Sequence, residues 1–206
     1  MQALGEHLGL PNEPLYDLLD LVTVSIAADI VPITGENRVL ASYGLRRFNE
    51  DDHLLRPGLA ALRELATLRE GSLGISSLIF GFAPRINAAG RMGNAEQGLR
   101  LLLARDQEEA DTIARSLEED NLQRRKHDER VLEEAIRKVH DEVGYPDCSS
   151  ILLWSDTWHP GVIGIVASRL VERFQRPTVL VAIDGDRGRG SGRSLPGLDL
   201  DRKSVV

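Results

Sequence analysis

SILLWSDTWHPGVIGIVASRLVERFQRPTVLVAI, residues 150–183, decides the fold class. SILLW (150–154) is an apolar run of strand length, and TVLVAI (178–183) is a second. Between them, GVIGIVASRLVERF (161–174) spaces its apolar residues as one face of a helix. Two strands joined through a helix pair in parallel, because a tight turn can connect only antiparallel neighbours. The expected fold class is therefore α/β. DGDRGRG (184–190) is expected to turn the chain, and GSGRS (190–194) to begin a third strand.

Working back toward the N-terminus, the longest element begins at Asp106, which forms a D-x-x-E capping box with Glu109. No Pro or Gly interrupts the helical pattern up to Val143, so a rod of roughly 55 Å is expected. Its apolar stripe lies at the two ends, at Ala110, Ile113, Ala114 and Leu117, then at Val131, Leu132, Ala135, Ile136 and Val139. The middle, EEDNLQRRKHDER (118–130), is almost wholly polar, as in a helix that connects two packed bodies. The first hundred residues read as helices. Asn12 is placed to cap one over 13–28, with Leu15, Leu18, Leu19 and Val22 on its stripe. Further helices are expected over 36–48, 57–69 and 95–104, with a loop, FAPRINAAGRMG (82–93), before the last of these.

The chain has 206 residues, 42% hydrophobic and 28% charged, which is ordinary for a soluble globular protein. Aromatics at 4% leave little for base-stacking platforms, and the net charge of −7 argues against a generally basic coat. A local basic groove remains compatible with that charge, since phosphate affinity follows local Lys/Arg clusters. The lone cysteine, Cys148, has no cysteine partner, the start MQALGEHLGLPNEP is no secretory signal, and no apolar run reaches membrane-span length. A cytoplasmic location is expected.

Several residue groups could carry chemistry, each beside a plainer reading. In GRGSGRS (188–194), glycines allow close approach of backbone to an anion, Ser191 adds a hydroxyl and Arg193 a bidentate fork. The same residues could form a solvated hairpin. WHPG (158–161) precedes a helix whose first N–H groups favour an anion, and His159 could contact phosphate or simply pack the turn. Arg85, Asn87 and Arg91 stand close together among small residues, open to a phosphate backbone or to acidic neighbours. Asn121 and Arg124 share a helical face. Asp29 ends the nearly uncharged run LVTVSIAADIVPI, where a carboxylate needs a metal or a capping role. One aspartate cannot build a two-metal site.

Taken in order, LLDLVTVSIAADIVPITGENRVL (18–40), FAPRINAAGRMG (82–93), the N-x-x-R of Asn121 and Arg124, WHPGVIGIVASRLVERF (158–174) and GSGRS resemble the RecJ family of the DHH phosphoesterase superfamily. The resemblance spans roughly residues 15–200. It implies a single-strand-specific 5′→3′ exonuclease of DNA repair and recombination, with Mn²⁺ or Mg²⁺ activating water. It implies single-stranded DNA with a 5′ end running between two domains, and a single-strand-binding protein or a helicase as partner. Residues 1–105 would be the rear of the DHH domain, 106–144 the connector helix and 145–206 the start of the DHH-associated domain. Asp29 matches the family's last metal-ligand aspartate and is the implied catalytic and metal residue. Gly190, Ser191 and Arg193 match its 5′-phosphate pocket, and Arg85, Asn87, Arg91, Asn121, Arg124 and His159 match groove positions. The D-x-D, D-H-H and G-G-H motifs of the family are absent, and Ser25-Ile26 stands where the family has Gly-Thr. The chain is therefore expected to be an internal fragment, inactive alone. The alternatives are a non-catalytic single-strand-binding module and a phosphodiesterase for oligonucleotides or cyclic dinucleotides.

Overall fold

Apolar stripes fold the chain into two units, Met1–Asn121 and Leu122–Val206. The computed structural model describes residues 6–9, 11, 13–50, 55–66 and 72–200. Asn12 and residues 67–69, expected to cap one helix and end another, lie outside the described residues, as do residues 201–206.

The first unit is helical. After a single turn at Glu13–Tyr16, α1 runs over Leu19–Ala28. The expected single helix over 13–28 is broken at Asp17 and Leu18. Arg56 accounts for the break: its Nη2 donates to the Asp17 carbonyl at 3.0 Å while its Nε pairs with the buried Asp20 at 3.0 Å. α2 spans Gly35–Glu50 and α3 Pro57–Leu65. Residues 82–93, expected to be a loop, are largely helix. A turn at Ile75–Ser77 and a π-helical stretch, Leu78–Phe82, lead into α4, Ala83–Arg91. Pro84 fits the first turn, where no N–H is needed, and Ala83, Ala88 and Ala89 are buried, so small residues make a helical face. Only Met92–Asn94 remain as connection, with Gly93 at φ +95°. α5 spans Ala95–Leu103 and the long α6 Gln107–Glu142.

The core of this unit gathers Leu59, Leu62, Leu78, Phe82 and Leu101 with Ala110, Ala114 and Leu117 of α6. Phe48 meets Phe82 edge to face at 5.9 Å. The start of α6 is capped as expected, the Glu109 N–H donating to Asp106 Oδ1 at 2.8 Å. The Glu109 carboxylate itself pairs with Arg100 at 3.2 Å.

In the second unit α6 contributes Val131, Ala135 and Val139 to a separate core. Three strands, β1 (Ile151–Ser155), β2 (Thr178–Asp184) and β3 (Arg187–Arg193), form one sheet in the order β1-β2-β3, and α7 spans Ile163–Phe174. β1 and β2 pair in parallel, as the crossover requires. α7 buries Ile163, Val166, Ala167, Leu170 and Phe174 against Ile151, Leu153, Leu180 and Ala182. The α/β class is confirmed. The third strand begins earlier than expected. Gly185, at φ +58°, and Asp186 alone make the turn, so β3 pairs antiparallel with β2 from Arg187 onward.

Gly58 gives a test of packing in the first unit. A Cβ there would stand 2.0 Å from the Leu101 carbonyl oxygen. By helix propensity alone alanine would stabilise α3 by about 1 kcal/mol. The contact reverses the sign, and Gly58→Ala is expected to destabilise by about 1–3 kcal/mol in urea denaturation. A neutral or stabilised variant would contradict this packing.

Candidate phosphate and nucleic-acid sites

In the second unit the pairing register of β3 sorts its residues by face. Arg193 stands opposite Thr178 and Ser191 opposite Leu180, on the face that α7 covers. Gly188, Gly190 and Gly192 alternate onto the other face, opposite Ile183, Val181 and Val179. Residues 188–193 are therefore a paired strand rather than a loop whose backbone wraps an anion. These residues are extended and paired, because Val-rich β2 offers a partner ladder along their length. Gly190 is a strand residue beside Val181.

Ser191 and Arg193 nevertheless form a polar cluster. Arg193 Nε donates to Ser168 Oγ of α7 at 3.1 Å, and Nη1 donates to Ser191 Oγ at 3.2 Å and to the Gly192 carbonyl at 2.7 Å. Ser168 Oγ donates in turn to the Gly164 carbonyl at 3.2 Å. Gly164 permits this approach. A Cβ there would meet Ser191 Oγ at 3.0 Å and Arg193 Nη2 at 3.1 Å. The guanidinium thus lies at the first turn of α7, where N–H groups lack intrahelical acceptors and the helix dipole favours an anion. Arg193 is exposed and Ser191 half-buried.

His159 precedes that helix. Its Nδ1 accepts the Gly161 N–H at 3.0 Å, which places the ring proton on Nε2. Its ring lies 5.9 Å from that of His127 on α6. Burial, and then the charge of His127, hold His159 below its ordinary pKa of 6.5, so it is neutral at pH 7. Arg124, mostly buried, pairs with the buried Asp128 one turn on, at 3.7 Å. Arg169 of α7 reaches the same carboxylate at 3.4 Å.

In the first unit the expected residues divide. Asn87 and Arg91 share the exposed face of α4. Arg85 turns inward, 8% exposed, and pairs with Glu118 of α6 at 2.6 Å while donating to the Gly81 and Leu65 carbonyls. The buried Asn121 leans on the same carboxylate, its Nδ2 at 3.5 Å from Glu118 Oε2. Of its two open readings, Arg85 takes the acidic neighbour, and Asn121 is fully buried on its face of α6.

Asp29 is exposed at the C-terminal end of α1, its N–H donating to the Ser25 carbonyl at 3.1 Å. The buried stripe of α1 is Asp20, Thr23, Val24, Ile26 and Ala27, and Asp29 lies past its end. The apolar run around it therefore exerts no burial pressure on the carboxylate. Among the described residues no group of three metal-capable side chains forms. Asp29 is a single oxygen donor, and these residues by themselves do not fit a divalent ion.

Sequence reading missed Asp128, Arg169, Ser168, Gly164 and Glu118. The spacing of four between Arg124 and Asp128 was a visible signal. Ser168 and Arg169 sat unremarked inside GVIGIVASRLVERF, whereas Glu118 carries no local mark of Arg85, 33 residues away.

No family model matches the chain. Curated relatives do. The single-stranded-DNA-specific exonuclease RecJ of Bacillus subtilis is 38% identical over 202 residues, 96% of this chain and 24% of that protein. RecJ of Thermus thermophilus is 40% identical over 194 residues, covering 94% and 26%. RecJ of Escherichia coli is 36% identical over 197 residues, covering 94% and 33%. The chain thus spans about a quarter to a third of the curated relatives it matches. Among solved structures, T. thermophilus RecJ in complex with Mg²⁺ superposes with a TM-score of 0.81 at 37% identity, covering 96% of this chain and 29% of that one. An exonuclease RecJ bound to manganese gives 0.79 at 37% identity, covering 96% and 47%. In sequence and in fold, over nearly its whole length, the chain is a relative of part of the single-stranded-DNA-specific exonuclease RecJ.

Proposed function

We propose that this chain is the strand-binding part of a single-stranded-DNA-specific 5′→3′ exonuclease that serves DNA repair and recombination in the cytoplasm. The observation that carries the reading is the Ser191–Arg193 cluster laid across the bare Gly164 at the start of α7. A 5′-phosphate is the ligand that suits it. Arg193 supplies a planar cation, Ser191 a hydroxyl and the helix start a favourable potential. Gly190 belongs to the same strand but turns its bare side to Val181, away from Ser191 and Arg193. In the proposed division, residues 1–105 are the rear of a DHH domain, 106–144 its connector and 145–206 the start of a DHH-associated domain.

His159 Nε2–H and Arg124 in the second unit, and Asn87 and Arg91 in the first, are proposed, each unit by itself, as contacts to a nucleic-acid backbone. Arg85 and Asn121 serve by fixing Glu118 between α4 and α6. The relatives' structures contain Mg²⁺ or Mn²⁺, and Asp29 is the one proposed ligand this chain offers. Such an ion supplies a polarised water when bound. A single carboxylate does not hold it, so the part proposed for this chain is binding, without cleavage on its own. A single-strand-binding protein or a helicase is the proposed protein partner.

Three outcomes follow. Arg193→Ala is expected to weaken binding of a 5′-phosphorylated single strand about tenfold by fluorescence anisotropy, and that of a 5′-hydroxyl strand much less. Equal losses for both would remove the 5′-phosphate assignment. With Mn²⁺ and 5′-phosphorylated single strands, the purified 206-residue chain is expected to release no nucleotides, and catalytic release would refute the division of labour. His159 adds a pH dependence. Its folded pKa is lowered, so the unfolded state takes up the proton first, near pH 6.5, and stability falls as pH drops through that value. The melting temperature of His159→Asn, in which the amide oxygen replaces Nδ1 as acceptor, should fall less between pH 7 and 5.5 than that of the parent. An equal fall would exclude His159 as the source.

A further inference from the structure

Asp128 sits on α6, 2% exposed, in a place where nothing assigned so far requires a carboxylate. Burying an anion is costly unless cations compensate it, and one guanidinium is sufficient for that. Two converge here. Arg124 Nη1 lies 3.7 Å away and Arg169 Nη2 3.4 Å away. The triad therefore keeps one net positive charge in a chain of net charge −7. The two arginines differ in exposure, with 12% for the Arg124 side chain and 46% for Arg169. Arg169 thus has one edge held by a buried carboxylate and another open to solvent. It also follows Ser168, the residue that receives Arg193 Nε, so it leaves α7 about 100° around the helix from that contact. His127, beside Asp128, faces the neutral His159 across 5.9 Å.

We propose that Asp128 is a positioning residue that holds the Arg169 guanidinium as a second phosphate contact on α7, the helix whose first turn carries the Ser191–Arg193 cluster, for a phosphodiester of single-stranded DNA. The inference rests on the single-strand reading above. A fixed guanidinium gives up less rotamer freedom on meeting a phosphate than a free one, which is the benefit of the buried anchor. A mere structural staple between α6 and α7 would give the triad no effect on phosphate affinity beyond its charge.

The two roles predict opposite signs. Asp128→Asn keeps the shape and removes a negative charge, so electrostatics alone would tighten binding to DNA. Positioning predicts weaker binding, by about three- to tenfold, in anisotropy titrations of the 206-residue chain with a 5′-phosphorylated oligo-dT strand. Arg169→Ala, at an exposed position, is expected to weaken binding about tenfold and to reduce the salt slope by about 0.7, the share of one phosphate contact on a single strand. Asp128→Asn added to Arg169→Ala should cost nothing more. Binding by Asp128→Asn that is unchanged or tighter, or a salt slope unaltered in Arg169→Ala, overturns the proposal. If circular dichroism shows Asp128→Asn unfolded, the slope of Arg169→Ala decides alone. Arg193→Ala separates the two levels. If it weakens binding while Arg169→Ala does not, only this inference falls. If the parent chain fails to bind, the single-strand reading falls and the inference with it.

Discussion

The parity of β3 against β2 is the constraint on which the candidate phosphate site depends. Side chains alternate along a strand, so a slip of one residue would carry Ser191 and Arg193 to the opposite face and bring the three glycines over α7. The two-residue turn at Gly185 and Asp186 holds that register, since its positive φ suits the twist of the flanking strands. Alternation of glycine with Arg and Ser then does two things. It gives β3 a flat side toward the valines of β2 and a polar side toward the first turn of α7. Gly164 completes the arrangement from the helix side, where even a methyl group would press on both Ser191 Oγ and Arg193 Nη2.

Carboxylates that gather cationic and polar partners are the second organising feature, and each unit carries its own. In the first, Glu118 of α6 collects Arg85 and Asn121, tying the short α4 to the long helix. In the second, Asp128 collects Arg124 and Arg169. Both carboxylates lie within 118–130, the stretch of α6 without a continuous apolar stripe. The chain is acidic overall, yet these pairings set its arginines among fixed partners, and local placement of guanidinium groups governs phosphate affinity more than net charge does. Asp29 shows the converse. It lies exposed beyond the buried stripe of α1, and only its backbone N–H is held, by the Ser25 carbonyl, among the described residues.

The strand-helix-strand core was legible because its apolar periodicities are strong and its three segments are short and cleanly bounded. The long helix was legible too, from its cap at Asp106 and the absence of Pro and Gly up to Val143. β3 was only half legible, because RGRGSGR has no apolar alternation and is a strand by virtue of its neighbour. PRINAAGR reads as a loop from its Arg, Asn and Gly, and becomes a helix because its alanines find a core to pack against. Of the candidate site, the motif residues could be named from sequence. The direction each one faces could not, since Arg85 and Arg91 sit on opposite sides of α4 and only tertiary packing decides which is inward.

The central claim is that the β3–α7 junction is a phosphate site, and amide chemical-shift mapping tests it most directly. The chain would be titrated with two short single strands that differ only in a 5′-phosphate. The account predicts that the difference between the two titrations is confined to Ser191–Arg193 and to Ile163 and Gly164 at the start of α7. Identical shifts with both strands, or differences lying elsewhere in the chain, would contradict it.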